Sequence, residues 1–309
     1  MTLLNFPNRR AGNENPIHSG LCELLSGYSI EVVPRTAAKV KSFSTLLPRG
    51  TLVYIAHIEG TPIDAMVTTA RRLAEEGFAV MPHFPARLIE DRRMLETWIG
   101  RYREEAGVER ALVLAGGRRR PVGAFDSSMA LLETGLFDRF GFSHLHVAGH
   151  PEGSRDIDPD GSTRRADEAL RWKQHFAQRH SDARMAIVTQ FLFDAAPLIA
   201  WSERLARMGI TLPIHVGVAG PAKLQTLMKY ALACGVGPSL RVLQKRAMDV
   251  RKLMLPYEPT VMLSELAAYR ATRPDSLFEQ VHIFPLGGVR AAAEWANAYA
   301  ARQREPGAA

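Results

Sequence analysis

Short apolar runs recur along the chain, separated by longer stretches in which apolar residues return every three or four positions. Eight of these runs are rich in Val, Ile and Leu, which predicts strands that are buried on both faces. They are YSIEVV (28–33), TLVYIAH (51–57), FAVMPH (78–83), ALVLAG (111–116), HLHVAG (144–149), MAIVTQF (185–191), LPIHVG (212–217) and VHIFPLG (281–287).

The stretches between the runs carry apolar residues on one face and charges on the other, and several end at glycine, which predicts amphipathic helices. The predicted helices cover residues 63–77, 91–107, 127–141, 163–179, 196–209 and 221–235. In the last of these, Pro221 occupies the first turn, where proline is tolerated. Residues 238–272 predict an additional helical insertion before the last strand.

Each strand and its following helix have the length of a crossover connection, so neighbouring strands should be parallel. Eight such units in 309 residues predict an α/β fold of the (β/α)8 TIM-barrel type. The alternative is an open doubly wound sheet, but no Gly-x-Gly-x-x-Gly motif follows the first strand. We therefore expect an N-terminal extension over residues 1–27 and a single catalytic domain over residues 28–305, with a frayed tail.

Composition narrows the class of protein further. The chain is 46% hydrophobic and 23% charged, and no apolar run approaches the ~20 residues that a membrane helix needs. The absence of an apolar signal core and the two distant cysteines, Cys22 and Cys234, favour a reducing cytoplasm. The net charge of +7 raises nucleic acid as a partner, but no recognition motif accompanies it. We expect an anionic small-molecule ligand, with no nucleic-acid or membrane partner.

Polar residues and glycines stand where the predicted strands end, which is where the chemistry of a parallel barrel gathers. Glu31 interrupts an apolar strand; a structural ion pair with Arg35 is one interpretation, and a buried acid with a raised pKa, ready to donate a proton, is the preferred one. His57 and His83 are core histidines or ligand contacts, and no metal-type spacing supports a metal site. The glycines, which are turn residues or leave room for a flat ligand, are Gly116, Gly117, Gly149, Gly217, Gly287 and Gly288.

The sixth strand ends in VTQFLFD, where an amide, Gln190, interrupts a core-like run. A buried amide that finds no partner costs free energy, so we expect Gln190 to face a ligand cavity. Thr189 points the other way in a strand and should be structural, and Asp194 should cap the next helix.

VTQFLFD resembles the Ile-Thr-Gln-Phe-Phe-Phe-Asp segment of methylenetetrahydrofolate reductases, and other segments resemble motifs of that family in the same order along the chain. SIEVVPR is similar to its Ser-Phe-Glu-Phe-Phe-Pro-Pro, MPHFPAR to Pro-His-Leu-Thr-Cys, AGHPEG to Ala-Tyr-Pro-Glu and PIHVGVAGPAKLQ to Pro-Ile-x-Pro-Gly-Ile. LAGG stands where the family has Leu-Arg-Gly-Asp, and LRWKQ resembles the helix that leads into the family's Thr-Gln-Phe strand. The likeness covers roughly residues 28–290.

The resemblance implies an FAD-containing (β/α)8 barrel that interconverts 5,10-methylenetetrahydrofolate and 5-methyltetrahydrofolate, with NADH or NADPH as the electron donor. It implies that Glu31 is the general acid and that Gln190 orients the pterin, with Gly217 and Leu224 also at the folate. The positions that it places at or near FAD are His57, His83, Leu114, Gly116, Gly117, Phe125, Asp126, His150, Asp167, Trp172 and Lys173.

Ala115 and Gly117 replace the Arg and Asp of the family motif. Loss of a carboxylate near the flavin pyrimidine should stabilise the reduced anion, which favours oxidation of 5-methyltetrahydrofolate. The same loss motivates the alternative of a flavin-independent folate-binding enzyme or methyl-transfer partner. A third hypothesis is an unrelated barrel whose basic surface serves a protein or RNA partner. We expect a homo-oligomer.

Overall fold

The computed structural model describes residues 16–233, 239–248 and 255–302. Residues 1–15 of the predicted extension, parts of the predicted insertion, Cys234 and the end of the chain lie outside the described residues. Elements are numbered in chain order within the described residues. None of the helices described there is both long and apolar enough to cross a membrane.

Eight parallel strands form a closed barrel in sequential order, as predicted, with β1 pairing β8 through Ser29 and His282. The closed order excludes the open doubly wound alternative. The strands are β1 (Ser29–Val32), β2 (Leu52–Ile55), β3 (Ala79–Pro85), β4 (Arg110–Leu114), β5 (His144–Gly149), β6 (Arg184–Thr189), β7 (Ile214–Ala219) and β8 (Phe278–Phe284).

The helices surround the barrel, and the largest apolar cluster lies between them and the strands. They are α1 (Pro16–Leu25), α2 (Pro34–Ala37), α3 (Ile63–Glu75), α4 (Arg92–Ala106), α5 (Ser128–Leu132), α6 (Leu136–Arg139), α7 (Arg164–Arg179), α8 (Ala195–Arg207), α9 (Leu224–Ala233), α10 (Leu240–Ala247), α11 (Thr260–Thr272) and α12 (Val289–Arg302). The predicted insertion before the last strand is present as α10 and α11.

Helix ends follow the local chemistry of the sequence. Asp91 accepts a hydrogen bond from the Met94 backbone N–H (2.7 Å) at the start of α4, and Gly107 ends that helix in the left-handed conformation. Asp194 caps α8 by accepting from the Ala196 N–H (3.0 Å), which confirms the prediction made from the sequence.

Two predicted helices are wrong in part. The single helix expected over 127–141 is divided into α5 and α6, because Gly135 adopts a left-handed conformation (φ 65°) between them. The helix expected from Pro221 begins at Leu224. Ala222 instead exchanges two backbone hydrogen bonds with Tyr257, so the residues after Pro221 are held in an isolated bridge to the insertion.

Part of the predicted N-terminal extension belongs to the packed structure. Helix α1 contacts α11 and α12, and it buries Leu21, Leu24 and Leu25. Gly20 on this helix lies close to α11, where an added Cβ would stand 3.1 Å from the Cβ of Ala267. The close approach lets α1 cover the barrel wall beside β8.

Candidate functional site

The C-terminal ends of the strands form the mouth of the barrel, and Glu31 from β1 lies in it. The carboxylate Oε2 stands 3.2 Å from His83 Nε2 on β3 and 3.8 Å from His282 Nε2 on β8. The Glu31 side chain keeps 18% of its surface exposed, whereas the two rings are almost fully buried. The structure thus brings Glu31 and His83 together, and it adds His282.

The pKa of Glu31 reflects burial opposed by these neighbours. Burial raises the pKa, but the contacts with His282 and His83 outweigh burial and lower the pKa to about 2. The interpretation of Glu31 as an acid with a raised pKa is therefore wrong for this chain without a ligand, because the sequence showed the burial and not the two imidazoles. Its alternative pairing with Arg35 is also not found among the described ion pairs. Glu31 is a carboxylate ready to accept hydrogen bonds.

A contact with Ser29 holds the His282 ring in place. Its Nδ1 lies 3.0 Å from the hydroxyl of Ser29, and burial lowers the pKa of the ring, so His282 is neutral near pH 7. The mouth therefore presents an ionised carboxylate beside a neutral imidazole, an arrangement that can accept N–H donors and exchange a proton with a bound ligand.

A second cluster of polar side chains, which the sequence analysis did not single out, lies inside the barrel. The Tyr54 hydroxyl is 2.6 Å from His146 Nδ1, the His146 and His215 rings are 4.7 Å apart, and His215 Nε2 is 3.0 Å from Glu279 Oε2. We call Tyr54, His146, His215 and Glu279 the interior polar column. Burial raises the pKa of Tyr54 and lowers that of His146, so the Tyr54 hydroxyl donates and His146 accepts. The signal in the sequence was the alternation within HLHV, IHV and LVYI, which turns these residues toward one side.

Gln190 and Thr189 differ in burial and in hydrogen bonding, as expected for adjacent residues whose side chains point to opposite sides. Gln190 is half-buried at the end of β6, and its Oε1 accepts from the Phe191 N–H (3.1 Å). Thr189 is buried and its hydroxyl accepts from the Gly217 N–H (2.8 Å), a structural role. Leu224 lies elsewhere, in an apolar cluster with Phe191, Phe193 and other residues of the β6 and β7 loops. Gln190 is thus the member of this group that has polar atoms available at the mouth.

The glycines at the strand ends serve packing more than a flat ligand. A Cβ at Gly217 would overlap the carbonyl oxygen of Thr189, and one at Gly149 would overlap Ile187 and Trp201. Gly117, by contrast, faces open space, with no atom within 4 Å of an added Cβ. The interpretation that these glycines make room for a ligand therefore keeps support at Gly117 alone of these three.

His150 and Lys173, two positions that the resemblance assigns to FAD, lie near each other beside the mouth. Burial lowers the pKa of Lys173 to about 8, and burial together with the Lys173 charge lowers that of His150 to about 4. Lys173 makes no ion pair within the described part of the chain. Arg87, after β3, holds the nearby loops by donating to the Arg118 and Asp126 carbonyls and to Asp156 (2.7, 3.0 and 2.8 Å).

The other side chains that the resemblance assigns to FAD contact residues of the protein itself. His57 stacks on Trp98 (4.8 Å) with its Nε2 2.9 Å from the Thr61 carbonyl, and Trp172 stacks on Phe176 (5.2 Å) in a groove between helices. Asp167 receives hydrogen bonds from Thr163 and Arg204. Leu114 packs inside the barrel, Phe125 in the main core, and Gly116 against Pro85. The set fits a dinucleotide only in part: His150 and Lys173 lie near each other, whereas Trp172 faces another groove.

No three His, Cys, Asp or Glu side chains are placed to hold a metal ion in residues 16–233, 239–248 and 255–302. We assign no metal to the mouth.

The fold and the mouth define a (β/α)8 barrel with a carboxylate–imidazole site, and no family model matches the chain. An uncharacterized protein from Clostridium thermocellum that binds two copies of 5-methyl-5,6,7,8-tetrahydrofolic acid is similar in structure (TM-score 0.55, 12% identity, 93% of this chain and 98% of that one). Dihydropteroate synthase from Thermus thermophilus matches with a TM-score of 0.46 and 13% identity over 90% and 95% of the chains. At these identities the likeness establishes the fold alone.

Proposed function

We propose that the protein binds a reduced folate at the mouth of the barrel and that this binding does not need a flavin. The observation that carries the proposal is the ionised Glu31 carboxylate, which is partly exposed and flanked by His83 and His282. The pyrimidine edge of a pterin presents adjacent N–H donors, and a carboxylate accepts such donors in pairs with charge-assisted hydrogen bonds.

Gln190 supplies the second polar anchor. Its Oε1 already accepts from a backbone N–H, so its amide N–H groups are the atoms to offer a pterin oxygen or ring nitrogen. A carboxylate that accepts and an amide that donates can together fix the orientation of a ring that has both kinds of edge. The methyltetrahydrofolate bound by the Clostridium thermocellum protein supports the same ligand class.

The protonation of the mouth favours binding or methyl transfer over general-acid catalysis. Glu31 holds no proton to donate near neutral pH while His83 and His282 remain in contact with it. A general-acid role would require the ligand to displace these imidazoles, so that burial then raises the pKa of the carboxyl group.

The test is anaerobic calorimetric titration of the purified protein, without flavin, with 5-methyltetrahydrofolate. We expect saturable binding that Glu31→Gln weakens roughly 10- to 100-fold, because charge-assisted hydrogen bonds are lost. Glu279→Gln is the matched control: it makes the same change at the other end of the barrel and should leave the affinity unchanged. Equal affinities in the wild type and Glu31→Gln would refute the role of Glu31.

A flavin-dependent oxidoreductase that interconverts methylenetetrahydrofolate and 5-methyltetrahydrofolate is the second candidate. Besides the sequence motifs, it is favoured by the buried Lys173 beside His150, because an ammonium with no carboxylate partner among the described residues suits an anionic group such as a phosphate. FAD when bound would supply hydride chemistry.

Addition of FAD to the purified protein tests this candidate. Retention of the visible flavin absorbance through gel filtration, its loss in Lys173→Met and its retention in Glu31→Gln would support it. A colourless protein that still binds the folate would leave the flavin-independent function standing.

A further inference from the structure

The end of the barrel opposite the mouth contains a cavity of about 740 Å³, which is within the size range of small-molecule sites. It is lined by the starts of the strands and by the loops that lead into them. The polar side chains that the argument uses are Arg49, Arg110, Arg184, His144, His215 and Glu279. We call this space the N-terminal cavity.

The N-terminal cavity carries more positive than negative charge. Glu279 is the one carboxylate among the described residues that line it, and it already pairs with Arg184 and with His215. Arg49 and Arg110 make no ion pair within the described residues. The three guanidiniums of the lining outnumber its one described carboxylate, and although Glu109 beside Arg110 offsets part of the positive charge, the excess favours an anion such as a phosphate monoester.

Two histidines, His144 and His215, also line the cavity. Burial lowers the pKa of His144, and the charges of Arg110 and Arg184 lower it further, whereas the charges of Glu109 and Glu279 oppose this shift. His215 is 5% exposed and its Nδ1 is buried without a hydrogen-bond partner among the described residues. The cavity thus combines two arginines that make no ion pair among the described residues with an imidazole nitrogen that has no hydrogen-bond partner among them.

We propose that the N-terminal cavity binds a small molecule that carries a phosphate group. A guanidinium presents a planar set of donors that matches phosphate geometry, and the half-buried Arg110 can hold such a group more firmly than an exposed side chain can. Arg49 and Arg184 supply further donors from the rim. The site is separate from the folate mouth and does not depend on the function proposed there.

Titration with inorganic phosphate and with glycerol 3-phosphate, at constant ionic strength set with chloride, tests the proposal by calorimetry. We expect saturable binding that Arg110→Gln weakens roughly tenfold or more, the loss of a charge-assisted hydrogen bond. Arg49→Gln removes an exposed side chain, so it should weaken binding without affecting folding. Glu31→Gln should bind phosphate as the wild type does.

Arg207→Gln is the control, because it removes one positive charge from an exposed position at the end of α8 that does not line the cavity. Its phosphate affinity should match the wild type. Absence of saturable binding by both probes, or an equal loss in Arg207→Gln and in both cavity variants, would overturn the proposal. Circular dichroism of each variant identifies a loss of affinity that comes from unfolding, in which case Arg49→Gln decides.

Discussion

Replacement of Tyr54 by Phe tests whether the interior polar column is held together as a hydrogen-bonded unit. The Tyr54 hydroxyl is fully buried and donates to His146 Nδ1 over 2.6 Å. Tyr54→Phe leaves the ring in place but strands a buried imidazole nitrogen, and an unsatisfied buried polar atom costs about 1–3 kcal/mol. We expect the free energy of unfolding to fall by that amount.

Tyr102 provides the matched control. It is also fully buried, against Phe84 in the outer core, but its hydroxyl has no hydrogen-bond partner among the described residues. Tyr102→Phe removes the same atom without stranding a partner, so it should be neutral or stabilising. The two substitutions change the buried volume equally, and their difference isolates the hydrogen bond.

The assay is equilibrium urea denaturation, followed by circular dichroism and by tryptophan fluorescence, with coincident transitions as the check for two-state behaviour. Equal losses in Tyr54→Phe and Tyr102→Phe would refute the reasoning, since the cost would then come from the lost atom and not from the unpaired His146. A neutral Tyr54→Phe would refute it as well.

Three further predictions follow from the same structure, and a fourth, on the oligomeric state, follows from the sequence. Burial lowers the pKa values of His146 and His282 below 6.5, so the unfolded chain binds more protons than the folded chain below that pH. In urea titrations at a series of pH values, the free energy of unfolding should therefore fall as the pH drops below about 6.5. The further loss due to Glu31 should begin only below about pH 4.5. Gly217→Ala should cost about 1–3 kcal/mol by steric overlap, whereas Gly117→Ala, in open space, should stay within about 0.5 kcal/mol by denaturation. Asp194→Ala should cost about 0.5–2 kcal/mol through loss of the α8 cap, measured in the same way. Light scattering during gel filtration should show a homo-oligomer; a monomer mass would contradict that prediction.

The barrel could be predicted from the sequence because its signals are local. Each buried strand is an apolar run, and each crossover helix repeats its apolar face, so strand order follows from chain order. The prediction of a single helix over 127–141 was wrong because Gly135 can continue a helix or end one, and only the packing of Leu136 and Phe137 into the core decides between the two.

The chemistry of the mouth could be predicted only in part. Glu31 and Gln190 stood out because a polar residue interrupted an apolar run. The pKa of Glu31, however, depends on His282, whose anchor Ser29 is 253 residues away along the chain. The contact of Tyr54 with His146 likewise depends on how the closed barrel brings β2 opposite β5. Distances across a barrel are set by its closure, so they cannot be predicted from any single segment of the sequence.

The most direct test of folate binding at the mouth is a crystal structure of the protein with 5-methyltetrahydrofolate. We predict electron density for the pterin at the C-terminal ends of the strands, with its N–H edge within hydrogen-bonding distance of the Glu31 carboxylate and its other edge at the Gln190 amide. A fully occupied ligand elsewhere, or a mouth that stays free of ligand at saturating concentration, would contradict the proposed function.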